Sequence, residues 1–203
     1  MAARMMSATK QFGVHLLLSQ AATELLSSEA KSKMRHLDTV TVKGSSVAQK
    51  IYTYDAKHIG VDFFLYSKTD RLANLDSDRF TPSSWKTDYD LLAMRRHVSE
   101  DFIQTFNFGR DYYLAGKWEN AIKSLKKANN MMISTVLDEG CVEYEVEGLS
   151  EERLLDENDT DEEVIRLRKV LGDGPSMCLV QFMENRGGIA PRKWDGFRPL
   201  TSK

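Results

Sequence analysis

The order of helix and strand signals in the first 55 residues is the feature that most constrains the fold. Apolar patterns and turn residues predict helices at 4–12, 19–26 and 28–34 and strands at 14–18, 37–42 and 49–54. Gly13 is placed to end the first helix, and Gly44 makes a tight turn between the last two strands possible. A sheet of this kind has an apolar face that must be buried. We therefore expect an α+β fold in which other elements cover that face.

Two motifs in this stretch resemble the end of the class III nucleotide cyclase catalytic domain. Residues 1–14, MAARMMSATKQFGV, resemble the family segment N-[LMV]-A-[AS]-R-x-x-[AS]-A-T-K-Q-[FY]-G-V. Residues 35–55, RHLDTVTVKGSSVAQKIYTYD, resemble the closing hairpin V-K-G-x-x-x-P-x-x-[IVL]-Y, with Ala48 near the usual proline. The resemblance covers only the closing part of a cyclase domain. The family asparagine would stand immediately before Met1, so we interpret Met1 as an internal methionine or the edge of a fragment.

The resemblance implies a C-terminal fragment of the α/β, ferredoxin-like cyclase domain and a defined chemistry. In that family a pair of aspartates holds Mg²⁺ or Mn²⁺ ions, and the ribose 3′-hydroxyl attacks the α-phosphate and releases pyrophosphate. Arg4 matches the arginine that stabilises the developing charge. Lys43 matches the lysine that holds the terminal phosphates. The metal-binding aspartates belong to the part of the domain that precedes Met1, so the resemblance implies no metal ligand in this chain and no turnover by the chain alone.

Two hypotheses about function follow. In the first, the chain is the C-terminal portion of a cyclase that acts on ATP or GTP, and its partner is a second cyclase domain or the upstream part of its own chain. In the second, it is a cyclase-derived, non-catalytic structural or interaction protein in a larger assembly, such as a cytoskeletal or ciliary complex. A reading frame that continues upstream of Met1 into the asparagine and a metal-binding aspartate would favour the first.

A helical hairpin is predicted at residues 99–137. Ser99, followed by acidic residues, is typical of a helix start. Eight residues have the spacing of a tetratricopeptide repeat: Phe108, Gly109, Tyr112, Gly116, Trp118, Ala121, Leu125 and Ala128. The small residues Gly109, Ala121 and Ala128 let two antiparallel helices approach. The larger residues Tyr112, Trp118 and Leu125 fill the gap between them. Since the sequence has no second copy of the repeat, we expect the hairpin to pack on another part of the chain.

The other segments differ in composition. Residues 56–98 lack a sustained period and predict a connector. Residues 138–163 carry thirteen acidic side chains and one arginine, which predicts a solvated, mobile insertion; calcium binding there is the alternative, although the spacing of an EF-hand loop is missing. Residues 164–203 predict two helices and carry the motifs D-G-P-S and W-D-G-F…L-T-S-K. This arrangement is similar to the tails that follow many class III cyclase domains.

Composition excludes several other classes. The formal net charge of −2 gives no general attraction to nucleic acid, and no apolar run is long enough to cross a bilayer, so we expect neither nucleic-acid binding nor direct membrane contact. Cys141 and Cys178 are far apart, which indicates free thiols in a reducing compartment. We expect a cytoplasmic protein, which a longer parent could tether to a membrane or cilium. No other catalytic constellation competes, since the histidines lie on different predicted elements: His15, His36, His58 and His97.

Overall fold

The structure, a computed structural model, describes residues 2–42, 47–57, 61, 84–139 and 149–200. The helices in these ranges are α1 (Ala2–Phe12), α2 (Gln20–Glu24), α3 (Ser28–Ser32), α4 (Ser84–Thr87), α5 (Tyr89–Arg95), α6 (Glu100–Leu114), α7 (Trp118–Asp138), α8 (Glu151–Leu155), α9 (Glu162–Leu171) and α10 (Gly174–Glu184). The strands are β1 (Leu18–Ser19), β2 (Met34–Val42), β3 (Gln49–Tyr54) and β4 (Arg198–Leu200). Helices and a sheet together confirm the predicted α+β class.

The strands form one mixed sheet in the order β1-β3-β2-β4. β3 runs antiparallel to both β1 and β2, which confirms the predicted pair of hairpin strands. The turn predicted at 43–46 lies outside the described residues. The sequence does not predict β4, which pairs parallel with the end of β2 and places Leu200 opposite Val42. A strand of three residues is too short for a period of two to be recognised.

The ends of the N-terminal elements follow from local chemistry. Gly13 ends α1 with a φ of 64°, a left-handed conformation that glycine adopts without strain. Ser19 caps α2 through its side chain, as predicted. The strand predicted at 14–18 is wrong except at its last residue, because only Leu18 and Ser19 pair with β3. Just before them, the Thr53 hydroxyl donates to the Leu16 carbonyl at 2.7 Å. A side-chain hydrogen bond therefore replaces backbone pairing between strands at this residue.

α6 and α7 pack against each other as a helical hairpin. Ser99 caps α6, and the side chains of Trp118, Ala121 and Leu125 on α7 are buried. Gly109 on α6 lies directly against Leu125, where a Cβ would come within 2.7 Å of its Cγ. The small residue is therefore what lets the two helices approach, as its position in the repeat-like spacing predicts.

One hydrophobic core joins the two halves of the chain. Phe12, Leu37 and Ile51 from the N-terminal part belong to the same buried cluster as the buried residues of α6, α7 and α10. α6 contacts β2, and α10 contacts α1 and α7. The apolar face of the sheet is thus covered by helices that come later in the chain. In the described ranges, no helix combines the length and the apolar character needed to span a membrane.

The connector and the acidic segment contain more regular structure than their composition indicates. α4 and α5 lie in the connector predicted at 56–98, with Asp88 capping α5. Within the acidic segment, Leu154 on α8 is buried in the core. Arg153 lies within 2.9 Å of Asp159 and 3.0 Å of Asp161, so the single arginine neutralises part of the acidic charge. Residues 140–148 of that segment lie outside the described ranges.

Candidate functional site

The two site residues predicted from the sequence occupy defined places along the chain. Arg4 lies on α1, although its side chain is not among those described. Lys43 follows the last residue of β2 and lies outside the described residues. β4 runs beside β2 as far as Val42, the residue immediately before Lys43. The geometry between Arg4 and Lys43 therefore stays a prediction.

The densest buried chemistry lies where β2 and β3 meet the C-terminal tail. Arg35 on β2 donates Nε and Nη2 to the carboxylate of Asp55 at 2.8 and 2.7 Å. It also donates Nη1 and Nη2 to Asp173 at 3.1 and 2.7 Å. We call these three residues the Arg35 cluster. Their side chains are at most 9% exposed, so water does not screen these charges. The cluster therefore joins the β2–β3 pair to the C-terminal tail.

The D-G-P-S motif explains the position of Asp173. Its carboxylate caps α10 by accepting from the backbone N–H of Ser176 at 2.9 Å and from the Ser176 hydroxyl at 2.6 Å. Burial opposes ionisation of Asp173, but Arg35 and these hydrogen bonds hold its pKa below the ordinary value. Gly174 is required next to it, because a Cβ there would lie 2.4 Å from the Phe12 carbonyl oxygen at the end of α1. The motif thus packs α10 directly on the helix that carries Arg4.

A second buried ion pair fixes β4. Arg198 donates Nε to Asp38 on β2 at 2.7 Å and Nη2 to the sulfur of Cys178 on α10 at 3.4 Å. Its guanidinium lies over the rings of Phe12 and Phe182, at 5.2 and 4.7 Å from their centroids. This contact set links α1, β2 and α10 at one point. The short C-terminal strand is therefore held by side chains as well as by its backbone pairing.

The W-D-G motif completes an aromatic cluster. Trp194 packs against Tyr113 and Trp118, with ring centroids 5.3 and 5.1 Å away. Its Nε1 donates to the carbonyl of Tyr113 at 3.0 Å, and Phe182 closes the group. Gly196 follows with a φ of 77° and passes close to the Leu114 carbonyl. The motif therefore anchors the tail to the helical hairpin.

Two cavities open on either side of Lys57, which follows β3. Lys57 Nζ donates to the carbonyls of Val170 and Gly172 at 3.1 and 2.8 Å. The smaller cavity, about 300 Å³, is lined by Arg35, Lys57 and His97, among others. Burial, with the charge of Lys57 nearby, lowers the pKa of His97 to about 4, so its imidazole is neutral near pH 7.

The larger cavity has a volume of about 570 Å³ and lies between the end of α1, α9 and the start of α10. Its polar lining includes four basic residues, Lys10, Lys57, Arg168 and Lys169, beside two acidic ones, Asp173 and Glu184. Asn129 also lines it and is 3% exposed. The side-chain Oδ1 of Asn129 accepts from the backbone N–H of Asp173 at 2.9 Å, which ties α7 to the loop between α9 and α10.

The implied metal ions do not fit the residues described here. Among the described residues, no group of three or more histidine, cysteine or acidic side chains could hold a metal ion. Asp55 and Asp173 are adjacent carboxylates, but both are committed to Arg35. No step of chemistry is therefore derived through a metal held by this chain.

Sequence reasoning did not predict the pairing of the Arg35 cluster or of Arg198 with Asp38. A signal is present, since Arg35 and Asp38 interrupt an apolar strand where a charge is costly unless paired. Asp55 lies 20 residues from Arg35, but the C-terminal partners of Arg35 and Asp38, Asp173 and Arg198, lie 138 and 160 residues away, which no local pattern encodes. The chain matches no protein-family model, no curated protein and no solved structure.

Proposed function

We propose that this chain is the C-terminal portion of a class III nucleotide cyclase, which converts a nucleoside triphosphate to a cyclic nucleotide and pyrophosphate. The observation that carries the proposal is the location of the two motifs. Residues 2–12 of the A-A-R…K-Q-F-G-V segment form one helix, α1, and the V-K-G segment begins at Val42, the last residue of β2 in an antiparallel pair. These are the elements that the family resemblance expects. A cytoplasmic setting and cyclic-nucleotide signalling belong to the same proposal.

In this function Arg4 and Lys43 are the residues that act on substrate. The guanidinium of Arg4 neutralises charge that develops on the α-phosphate, and its planar donors suit phosphate oxygens. The ammonium group of Lys43 holds the terminal phosphates. The carboxylates that bind the catalytic ions come from outside residues 1–203. A second cyclase domain, or a part of the same protein upstream of Met1, therefore completes the site. The chain by itself has no turnover.

The tail has a positioning role in this proposal. The Arg35 cluster and the Arg198–Asp38 pair connect α10 and β4 to the elements that carry the two motifs. Gly174 packs on the last turn of α1. Because enzyme groups must be held close to their productive geometry, such contacts would fix the helix of Arg4 and the strand that leads to Lys43.

The experiment uses the protein isolated from its natural source. Cyclase assays with ATP and with GTP, in Mg²⁺ and in Mn²⁺, are expected to give a cyclic nucleotide. Arg4→Ala in that protein should lower kcat far more than it changes KM, because it removes an interaction specific to the transition state. Lys31→Ala, a change of equal charge at an exposed position of α3, is the control and should leave both parameters unchanged. Equal, small effects of the two variants would contradict the role of Arg4.

The second candidate is a non-catalytic structural or interaction protein. The buried pairing between the tail and the β2–β3 pair serves this candidate equally well, because such contacts stabilise a fold whether or not catalysis occurs. Intact-mass measurement of the natural protein separates the two. A mass of 23.1 kDa together with no turnover would support the second candidate, whereas a larger mass with turnover would support the first.

A further inference from the structure

The cavity between α1, α9 and α10 has an uneven distribution of charge. Its volume of about 570 Å³ lies within the range of small-molecule sites. Both carboxylates in its lining have partners: Asp173 pairs with Arg35, and Glu184 lies 3.0 Å from Lys126. The four basic residues, in contrast, have no carboxylate partner among the described residues: Lys10, Lys57, Arg168 and Lys169. The lining therefore carries four cations that form no salt bridge in the described structure.

Two of these cations are already oriented by backbone carbonyls. Lys57 donates to Val170 and Gly172, which uses two of its three N–H bonds and leaves the third. Arg168 donates to the carbonyls of Leu154, Arg153 and Asp156. Carbonyl oxygens orient these cations without cancelling their charge. Lys10 and Lys169 are exposed at the rim of the cavity and can turn toward a ligand.

Asn129 supplies a second, independent observation. Its side chain is 97% buried, and its oxygen accepts from the backbone N–H of Asp173. Its amide nitrogen has no hydrogen-bond partner among the described residues, although the residue lines the cavity. This amide is therefore a donor that an acceptor bound in the cavity can use. An anion with several acceptor oxygens provides what both the lysines and this amide lack.

Three apolar side chains define the rest of the ligand. They lie near Gly174, the first residue of α10, whose N-terminus is already capped by the Asp173 carboxylate. Ile165, Val170 and Met177 line the cavity and are 48%, 51% and 38% exposed. These side chains offer an apolar surface beside the basic residues. The ligand should combine an anionic group with an apolar body.

We propose that this cavity is a binding site for a phosphorylated small molecule, with the phosphate between Lys10, Lys57 and Lys169 and the apolar body on Ile165, Val170 and Met177. The site uses neither Arg4 nor Lys43, and it does not depend on the proposed cyclase function. Phosphate is the chemistry that matches a cluster of lysines and an amide donor.

Calorimetric titration of the full chain at low salt tests the site. The probes are phenyl phosphate, inorganic phosphate and phenol. Phenyl phosphate should bind more tightly than inorganic phosphate, and phenol should not bind measurably. The double variant Lys10→Gln/Lys169→Gln should weaken phenyl phosphate by about tenfold or more, because two charge-assisted contacts are lost. The control Lys31→Gln/Lys123→Gln makes the same change of net charge at exposed lysines outside the cavity lining and should leave the affinity unchanged.

Three outcomes would overturn the proposal. They are no binding of phenyl phosphate by the wild-type chain, equal weakening by the two double variants, and unchanged affinity in Lys10→Gln/Lys169→Gln. Thermal melts of both double variants establish that they are folded, as expected for exposed lysines. The readout is the affinity for phenyl phosphate and not turnover, so failure of this site and failure of the cyclase proposal give different results.

Discussion

Arg35 shows how this fold tolerates a charge in its interior. Its side chain is 2% exposed, and its guanidinium lies over the rings of Phe102 and Phe106 at 4.9 and 4.1 Å from their centroids. Burial opposes its charge, but Asp173 and Asp55 together raise its pKa above the ordinary value, so it stays protonated. A buried charge of this kind is stabilising only while its partners are present.

Removing one carboxylate from the Arg35 cluster should be costly. Asp173→Asn keeps an oxygen that can cap α10 but removes the negative charge beside Arg35. We expect a loss of about 3–5 kcal/mol in the free energy of unfolding, measured by urea titration. Asp161→Asn is the matched control, because Asp161 also caps a helix and pairs with an arginine, but at the surface. It should change stability only slightly. Equal losses in the two variants would mean that capping, not buried charge, dominates.

Acidification should destabilise the fold through two histidines. Burial lowers the pKa of His36 and of His97 to about 4, aided by Arg110 and Lys57 respectively. The unfolded chain has histidine pKa values of about 6.5. Between these values the unfolded chain binds protons that the folded chain does not, so stability falls as pH falls from about 6.5 toward about 4. Thermal melts across that range should show a smaller loss in His97→Gln than in the wild type. Parallel curves for the two proteins would contradict the assignment.

The helical hairpin depends on one close approach between its elements. A Cβ on Gly109 would lie 2.7 and 2.8 Å from Leu125 Cγ and Cδ2 and 3.2 Å from the Leu125 backbone nitrogen. These atoms are close to the α7 backbone and cannot move far. Alanine is the better helix former, so the variant also gains up to about 1 kcal/mol in helix propensity. The sign of the net effect shows which of the two dominates.

We expect steric conflict to dominate at Gly109. Gly109→Ala should lower the free energy of unfolding by about 1–3 kcal/mol, because an overpacked core forces the helices apart. Gln104→Ala lies at an exposed position of the same helix and should leave stability nearly unchanged or slightly higher. Chemical unfolding followed by circular dichroism measures both variants. A more stable Gly109→Ala chain would show that the two helices have room to adjust.

Elements with local signals could be predicted from the sequence, and elements fixed by distant contacts could not. Ser19, Ser99 and Asp173 mark helix starts through hydrogen bonds within three residues, and the structure confirms them. β4 depends on pairing with a strand some 160 residues earlier and on the Arg198–Asp38 contact. The same holds for the apolar run at 14–18. Its carbonyl at Leu16 accepts a hydrogen bond from the distant side chain of Thr53, so the local pattern could not distinguish this segment from a strand. For the candidate site, the motifs predict Arg4 and Lys43, but the buried charges that connect α1, the β2–β3 pair and the tail follow only from the tertiary structure.

At the scale of the molecule, the aromatic cluster links the helical hairpin to a core that extends to the sheet. Trp118 is 1% exposed and contacts the rings of Tyr113, Phe182 and Trp194. Phe182 also lies under Arg198, whose carboxylate partner is on β2. A change at Trp118 therefore reaches the sheet through packed side chains. We infer that the sheet and the helical hairpin unfold as one unit.

This cooperativity can be measured with a single variant. Trp118→Ala should lower the free energy of unfolding by about 3–5 kcal/mol, because a large buried ring leaves a cavity. If the chain unfolds as one unit, hydrogen exchange should show the same loss of protection in β3 as in α7, since both open only in the global event. Phe108→Ala, at an α6 position that is 61% exposed, is the control and should change neither. Faster exchange confined to α7, with β3 unaffected, would show that the α6–α7 hairpin opens by itself. It would also show that the tail contacts do not transmit stability to the sheet.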